Sequence, residues 1–183
     1  MQRAVGTSIV ASCLFGAGLL SLDQFVPLYI QGARGGDATA AAGVVTPVML
    51  TWAISGTIAA PLIVKWGYRR TTMLGGLLIF IGFLGLVICT IMQAPHSAMT
   101  ATLAITGLGF GPVSMSVLIS AQEAVTYQHR GVVTSAISFF RTMGGAVGIG
   151  MLGAMFNIVT ARQTRALAAH GVHPADLLEP ARR

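Results

Sequence analysis

Long stretches of the chain carry no charged residue, and these stretches define its organisation. Asp, Glu, Lys and Arg are absent from residues 4–22, 38–64, 71–122 and 142–161. A helix that crosses a membrane needs about 20 consecutive, mostly apolar residues. Three of the runs therefore correspond to one membrane span each, whereas the run 71–122 is long enough for two.

A turn signal divides the longest run into two helices. The segment 94–97 (Ala-Pro-His-Ser) lies near its middle and contains the proline and small polar residues typical of a turn. The first and last helices become longer if each includes one internal charge, Asp23 and Arg141. The pattern thus predicts five transmembrane helices, with ends defined to within about 2–4 residues. They cover about 5–31, 41–64, 72–93, 98–121 and 132–159.

The composition excludes a water-soluble domain. Only 9% of the residues are charged, against about 25% in an ordinary soluble domain. Apolar residues make up 54% of the chain, and its mean hydropathy is +0.77. Disordered segments show the opposite composition, because they are poor in apolar residues and rich in charge. We therefore predict an all-α integral membrane protein, with a transmembrane domain over residues 1–160 and a polar external tail over 161–183.

The net charge of +6 does not indicate nucleic-acid binding. The basic residues occur singly or in pairs beside apolar runs, as they do at the ends of membrane spans, and form no single cluster. Lys and Arg collect on the cytoplasmic side, and the early loops usually dominate. This rule places the N-terminus inside and the C-terminus outside. The inner bases are Arg3, Lys65, Arg69, Arg70 and Arg130; the outer side carries Arg34 and, in the tail, Arg162, Arg165, Arg182 and Arg183.

A basic turn joins the second and third predicted helices. Residues 60–70 read APLIVKWGYRR, in which Pro61 loosens the end of a helix. Lys65 and Arg70 bracket a tight turn at Gly67. On physical grounds alone, this is an ordinary basic loop whose side chains face anionic lipid head groups.

The same loop resembles the second, degenerate copy of the loop motif of major facilitator superfamily transporters, whose first copy reads approximately G-x-L-A-D-R-x-G-R-K/R. Gly67, Lys65 and Arg69 match its glycine and bases. Val64 stands where the family has an acid, and Ala60 replaces the leading glycine. These departures argue against a charge relay in this copy and leave a turn and an anchor, formed by Lys65, Gly67, Arg69 and Arg70.

Four further segments extend the resemblance to drug:proton antiporters of the fourteen-helix EmrB/QacA type. They agree in order and spacing over about residues 5–165: FVPLYIQG at 25–32, AGVVTP at 42–47, GLGFGP at 107–112, and RG at 130–131 followed by FRTMGGAVG at 140–148. The resemblance implies that the five helices form most of the C-terminal bundle of the major facilitator fold, without its last helix. The N-terminal half would then be missing from this chain, which suggests a fragment.

Glycine-rich stretches predict close packing between helices. Lipid offers no hydrophobic drive for helix association, so small residues that let backbones approach are favoured at the contacts. A nucleotide loop at 107–111 is excluded because such a loop must follow a strand. The last helix should present a continuous small-residue face through Ala146, Gly150 and Ala154. The predicted packing residues are Gly107, Gly109, Gly111, Pro112, Gly144, Gly145 and Gly148.

Two charges inside the spans are the main functional candidates. Asp23 lies about 12 Å from the outer edge of its helix and Arg141 about 15 Å from the inner edge, so both reach similar depths in a core of about 30 Å. Charges at such depths usually face a partner or a water-filled cavity. We therefore expect Asp23 and Arg141 to face one another or to share the central cavity. Gln31, at the end of the first helix, is a third candidate for proton or substrate binding.

Two roles for this pair of charges remain open from the residues. In the functional one, Asp23 binds a proton or a cationic substrate and Arg141 influences its charge state. In the structural one, the two side chains form an ion pair, or Arg141 extends toward the membrane surface.

The resemblance implies proton-coupled export of lipophilic, often cationic drugs by alternating access, in a bacterial plasma membrane. The partners would be membrane lipid, a small-molecule drug, protons and the missing N-terminal half. The alternative is a non-transporting five-helix remnant or an assembly partner of another bundle. An intramembrane protease is disfavoured because the spans lack a GxSxG serine with a histidine and also lack HExxH. We expect no metal and no cofactor, and we interpret Cys13 and Cys89 as buried apolar side chains.

Overall fold

The computed structural model describes residues 2–34 and 38–169, and its regular elements are all helical. Four long helices are α1 (Gln2–Arg34), α2 (Ala38–Ile91), α3 (His96–Glu123) and α4 (Arg130–Ala169), with a short 3-10 helix at Tyr127–His129. Among the described residues, each of the four contains a stretch long and apolar enough to cross a membrane. The predicted all-helical, membrane-spanning architecture is thus confirmed.

The second helix joins the two predicted helices at 41–64 and 72–93 across a kink. Counted by length and composition, the described residues therefore contain four candidate membrane spans, whereas the sequence predicted five helices. With 54 residues, α2 would extend about 80 Å if straight. The helical geometry of α2 is interrupted at Gly67, where φ is 80° and ψ is 163°. We call residues 38–66 α2a and residues 68–91 α2b.

The basic turn is therefore tighter than the predicted loop 65–71. Helical turns continue up to Gly67 from both directions, because Lys65, Arg69 and Arg70 are all residues that a helix accommodates well. The change of direction depends on the single residue with unusual backbone angles.

Gly67 should tolerate no side chain, for a conformational and not a steric reason. Its backbone angles fall in a region populated almost only by glycine, and other residues there cost about 1–3 kcal/mol. A Cβ at Gly67 would meet nothing within 4 Å. We expect Gly67→Ala to lower the free energy of unfolding in mixed detergent by about 1–3 kcal/mol.

Gly76→Ala is the matched control for this substitution. A Cβ at Gly76 would also meet nothing within 4 Å, but the φ angle of Gly76 is not positive. Alanine at a compatible position is neutral or slightly stabilising. Equal effects of the two substitutions on the unfolding free energy would contradict the strained turn.

α3 packs between the two arms of α2. Against α2a, Gly107 approaches Val48 and Thr51, and Gly111 approaches Ser55. Residue numbers rise together along this contact, so α2a and α3 are parallel. The hydroxyl of Ser55 donates a hydrogen bond of 3.2 Å to the carbonyl of Gly107.

The contact between α3 and α2b runs in the opposite direction. A Cβ on Gly109 would lie 2.6 Å from the carbonyl oxygen of Gly75, and one on Gly75 would lie 3.1 Å from Cβ of Pro112. Further along, Gly82 faces Thr106 and Gly85 faces Thr102. Because numbers fall on α3 as they rise on α2b, these helices are antiparallel. α2a and α2b therefore run in opposite directions on either side of α3.

α1 and α4 form a second close pair, which is parallel. Gly144 lies against the backbone of Cys13, and a Cβ on Gly148 would lie 2.9 Å from Cα of Ala17. Gly145 faces the side chain of Leu20.

The predicted continuation of this small-residue face through Ala146, Gly150 and Ala154 is wrong. All three residues are exposed, and a Cβ on Gly150 would meet nothing within 4 Å. The reason is geometric, because two residues along a helix correspond to a rotation of about 200°.

The core lies where α1 meets α2 and α3. Apolar side chains at every third or fourth position of α1 are buried against residues of the other two helices. These positions are Phe15, Leu19, Leu22, Val26 and Ile30 on α1, with Val44, Val48, Met99, Leu103 and Phe110 opposite them.

The ends of the described helices lie beyond several predicted limits. α4 continues to Ala169, so the beginning of the predicted tail 161–183 is helical. Residues 170–183 of that tail and residues 35–37 lie outside the described residues.

Candidate functional site

Arg141 lies where α4 crosses α1. Its backbone carbonyl faces Gly16, which has no side chain to hold the helices apart. The Arg141 Cζ is 5.0 Å from the centroid of the Phe15 ring, a distance suited to a cation–π contact. The Arg141 Nε is buried and has no hydrogen-bond partner. Among the described residues, the guanidinium of Arg141 thus contacts an aromatic ring and not an acid.

Phe15 belongs to an aromatic cluster contributed by three helices. Its ring centroid is 6.2 Å from that of Trp52 and 5.0 Å from that of Phe110, the latter in an edge-to-face arrangement. Trp52 Nε1 donates a hydrogen bond of 3.3 Å to the hydroxyl of Ser114. We call Phe15, Trp52 and Phe110 the aromatic cluster. Sequence reasoning missed it, although a tryptophan in the middle of a span was an available signal.

Asp23 occupies the same side of α1 as the Arg141 contact but does not pair with Arg141. It lies seven residues after Gly16, nearly two full turns, and thus about 10 Å further along the same face. The Asp23 side chain is exposed, and the structure shows no ion pair between it and Arg141, both of which are described. The two charges therefore share a side of the α1/α4 pair without touching.

Gln31 is not brought close to these charges. It is exposed near the end of α1, eight residues after Asp23 and therefore about 12 Å further along the axis. The structure gives it no contact with Asp23 or Arg141.

A separate apolar cavity of about 510 Å³ lies between α1, α2b, α3 and α4. Its lining includes Phe25, Phe83, Met99 and Met151, but neither Asp23 nor Arg141. The volume falls in the range of small-molecule pockets. The cavity and the pair of charges are thus distinct features of the bundle.

The basic turn is tied to the end of α3. Tyr68, at the turn and outside the predicted spans, lies beside Glu123, and hydrogen bonding to the Glu123 carboxylate together with its negative charge raises the pKa of Tyr68 to about 12. Lys65, Arg69 and Arg70 are exposed around it. Sequence reasoning missed the contribution of Glu123, which tethers α2b to α3 at this edge of the bundle.

Metal-ligating side chains do not cluster among the described residues. No group of three or more His, Cys, Asp or Glu side chains among them could hold a metal ion. Cys13 and Cys89 are free thiols, each partly buried.

Comparison with known proteins gives a consistent family. Residues 2–149 match the Major Facilitator Superfamily. The chain is 36% identical over 142 residues to the multidrug transporter protein MdtP of Bacillus subtilis (strain 168), covering 76% of this chain and 26% of that protein. It is 28% identical to multidrug resistance protein 3 of the same strain, covering 83% and 30%.

A mycobacterial relative extends the similarity along almost the whole chain. The uncharacterized MFS-type transporter Rv1877 of Mycobacterium tuberculosis (strain H37Rv) is 29% identical over 98% of this chain and 27% of its own length. The chain thus spans between a quarter and a third of the length of these relatives. Since the family match covers most of the chain, the chain belongs to the major facilitator superfamily, a class of membrane transporters and not of enzymes.

Proposed function

We propose that this chain forms most of the C-terminal bundle of a proton-coupled multidrug exporter of the fourteen-helix type, which works by alternating access against a second bundle. The observation that carries the proposal is the exposed position of Asp23 on the side of α1 next to Arg141. A carboxylate at membrane depth is costly unless it faces protein or a water-filled cavity. That side of the α1/α4 pair is therefore where a second bundle would enclose a central site.

The chemistry of this side suits a proton and a cationic, lipophilic substrate. A carboxylate binds a proton or a cation, but not both at once. Binding of a cationic drug to ionised Asp23 would therefore require release of its proton, which is the exchange that an antiporter needs. Arg141, whose guanidinium rests on Phe15, would keep a second charge near the same site. The names of two relatives, a multidrug transporter and a multidrug resistance protein, support this substrate class.

We further propose five membrane spans, with the N-terminus inside the bacterial plasma membrane and the end of α4 outside. Support comes from α2a and α2b, which run in opposite directions beside α3 and so act as two spans joined at Gly67. The bases Lys65, Arg69 and Arg70 at that turn would then lie on the cytoplasmic side, as the positive-inside rule requires.

Transport in everted membrane vesicles tests the proposed activity. Vesicles from cells that express the native gene product should accumulate ethidium when their lumen is acidic. Nigericin, which collapses the pH gradient, should abolish that accumulation. Vesicles from cells lacking the gene are the control. Accumulation that persists after nigericin would contradict proton coupling, and absence of any gene-dependent accumulation would contradict export of cationic drugs.

A further inference from the structure

We propose that a groove beside the basic turn binds one anionic phospholipid, with the phosphate on Arg70 and an acyl chain along α2b. The groove has a volume of about 450 Å³ and is lined by Trp66, Arg70, Met73, Leu74 and Leu77. It lies apart from the aromatic cluster, Asp23 and Arg141, so the proposal does not depend on the substrate of the transporter.

The groove follows one face of α2b. Arg70, Met73, Leu74 and Leu77 are spaced as positions i, i+3, i+4 and i+7, which share a helix face. Their apolar members are open to the surroundings, with Met73 60% exposed and Leu77 55% exposed. A membrane-spanning chain presents such a face to lipid, so an acyl chain is the natural occupant of its apolar part.

The polarity along the groove matches the order of groups in a phospholipid. Arg70 lies at the turn, and Leu77 lies seven residues, or about 10 Å, further into the span. Trp66 comes from the other side of Gly67 and borders the mouth of the groove, where it is 45% exposed. Tryptophan is enriched at the head-group level of membranes. The charged end and the interfacial ring thus lie together, and the apolar residues lie deeper.

The charge at the mouth of the groove favours an anionic head group. Lys65, Arg69 and Arg70 are exposed within a few residues of one another. Glu123, an acid at this edge of the bundle, lies beside Tyr68 and raises the pKa of that hydroxyl. All three basic side chains are exposed, so their charges are open to a lipid head group. Basic clusters at a membrane surface attract anionic lipids, and a phosphate beside Arg70 would give it a partner.

Trp66 supplies an internal probe of this site. The chain has two tryptophans, so Trp52→Phe leaves Trp66 as the single tryptophan, which can be excited selectively over tyrosine. We would reconstitute the full chain carrying this substitution in phosphatidylcholine vesicles that contain, as a minor component, either brominated phosphatidylglycerol or brominated phosphatidylcholine. At equal mole fraction, we expect brominated phosphatidylglycerol to associate with Trp66 about fivefold more strongly, as expected for one base near anionic lipid.

Two charge-neutralising variants separate a specific site from general attraction. Arg70→Gln should abolish the preference for phosphatidylglycerol, because it removes the base that lines the groove. Arg69→Gln removes the same charge from the same turn but does not line the groove, so it should keep most of the preference. Equal quenching by the two brominated lipids would overturn the proposal. Equal loss of preference in the two variants would also overturn it, since diffuse attraction would then suffice.

Native mass spectrometry of the chain with both tryptophans gives a second measurement that does not depend on Trp52→Phe. After reconstitution in mixed phosphatidylglycerol and phosphatidylcholine, we expect one retained phosphatidylglycerol per chain, which Arg70→Gln loses. A chain that retains the two lipids in proportion to the mixture would contradict the site.

Discussion

Gly144→Ala is expected to force α1 and α4 apart and to lower the free energy of unfolding by about 3 kcal/mol, the upper end of the usual cost of overpacking. A Cβ at this position would overlap the backbone of Cys13, with Cα of Cys13 only 2.7 Å away. Backbone atoms cannot rotate aside as a flexible side chain can. Close packing is also what holds helices together in lipid, so separation at Gly144 would weaken the neighbouring contact of Gly148 with Ala17 as well.

Gly150→Ala provides the matched control for this prediction. It adds the same methyl group to the same helix six residues later, where a Cβ meets nothing within 4 Å. Thermal unfolding in detergent, followed by circular dichroism, should show a lower midpoint for Gly144→Ala and an unchanged midpoint for Gly150→Ala. Identical midpoints for the two variants would contradict the close contact between α1 and α4.

Hydropathy predicted the helices well because a membrane span is a run of consecutive, mostly apolar residues, which is visible in the sequence alone. The predicted spans 5–31, 98–121 and 132–159 all lie within α1, α3 and α4. The turn between 41–64 and 72–93 was predicted as a loop, because three bases and a glycine occur close together there. Only Gly67 departs from helical geometry, and no hydropathy pattern distinguishes a one-residue kink from a loop.

Close contacts between helices were predictable only in part. Small residues four apart, such as Gly144 and Gly148, share a helix face, and both lie against α1. Gly75, Gly82 and Gly85 were missed, although each lies against α3. Their identity as contacts depends on which helix is the neighbour, and that information is not contained in the spacing of a single helix.

For Asp23 and Arg141, the sequence predicted the depth in the membrane but not the direction in which each side chain points around its helix. The rise of a helix fixes the depth of Asp23 and Arg141 from the residue count. Rotation and side-chain direction depend on how α1 and α4 pack, and there the structure places Arg141 on Phe15 and leaves Asp23 exposed. The aromatic partner was not predictable, because Phe15 is one of many apolar residues in its run.

Asp23→Asn is expected to reduce proton-driven accumulation of ethidium in everted vesicles to the level of vesicles that lack the protein. Asparagine has nearly the shape of aspartate but neither binds a proton nor carries the negative charge that attracts a cation. Asp23 makes no ion pair with Arg141. Its replacement therefore does not deprive a buried cation of its partner. The chain should therefore still fold, and the loss should be one of function.

Asp23→Glu is the matched control, since it keeps a group that ionises and should retain much of the accumulation. Exchange of labelled for unlabelled ethidium without a pH gradient then separates the two possible duties of the carboxylate. Exchange that survives in Asp23→Asn would mean that Asp23 carries the proton alone, and loss of exchange would mean that it also binds the drug. Proton-coupled accumulation that is unchanged in Asp23→Asn would contradict both duties, and the exposed carboxylate would then have no part in transport.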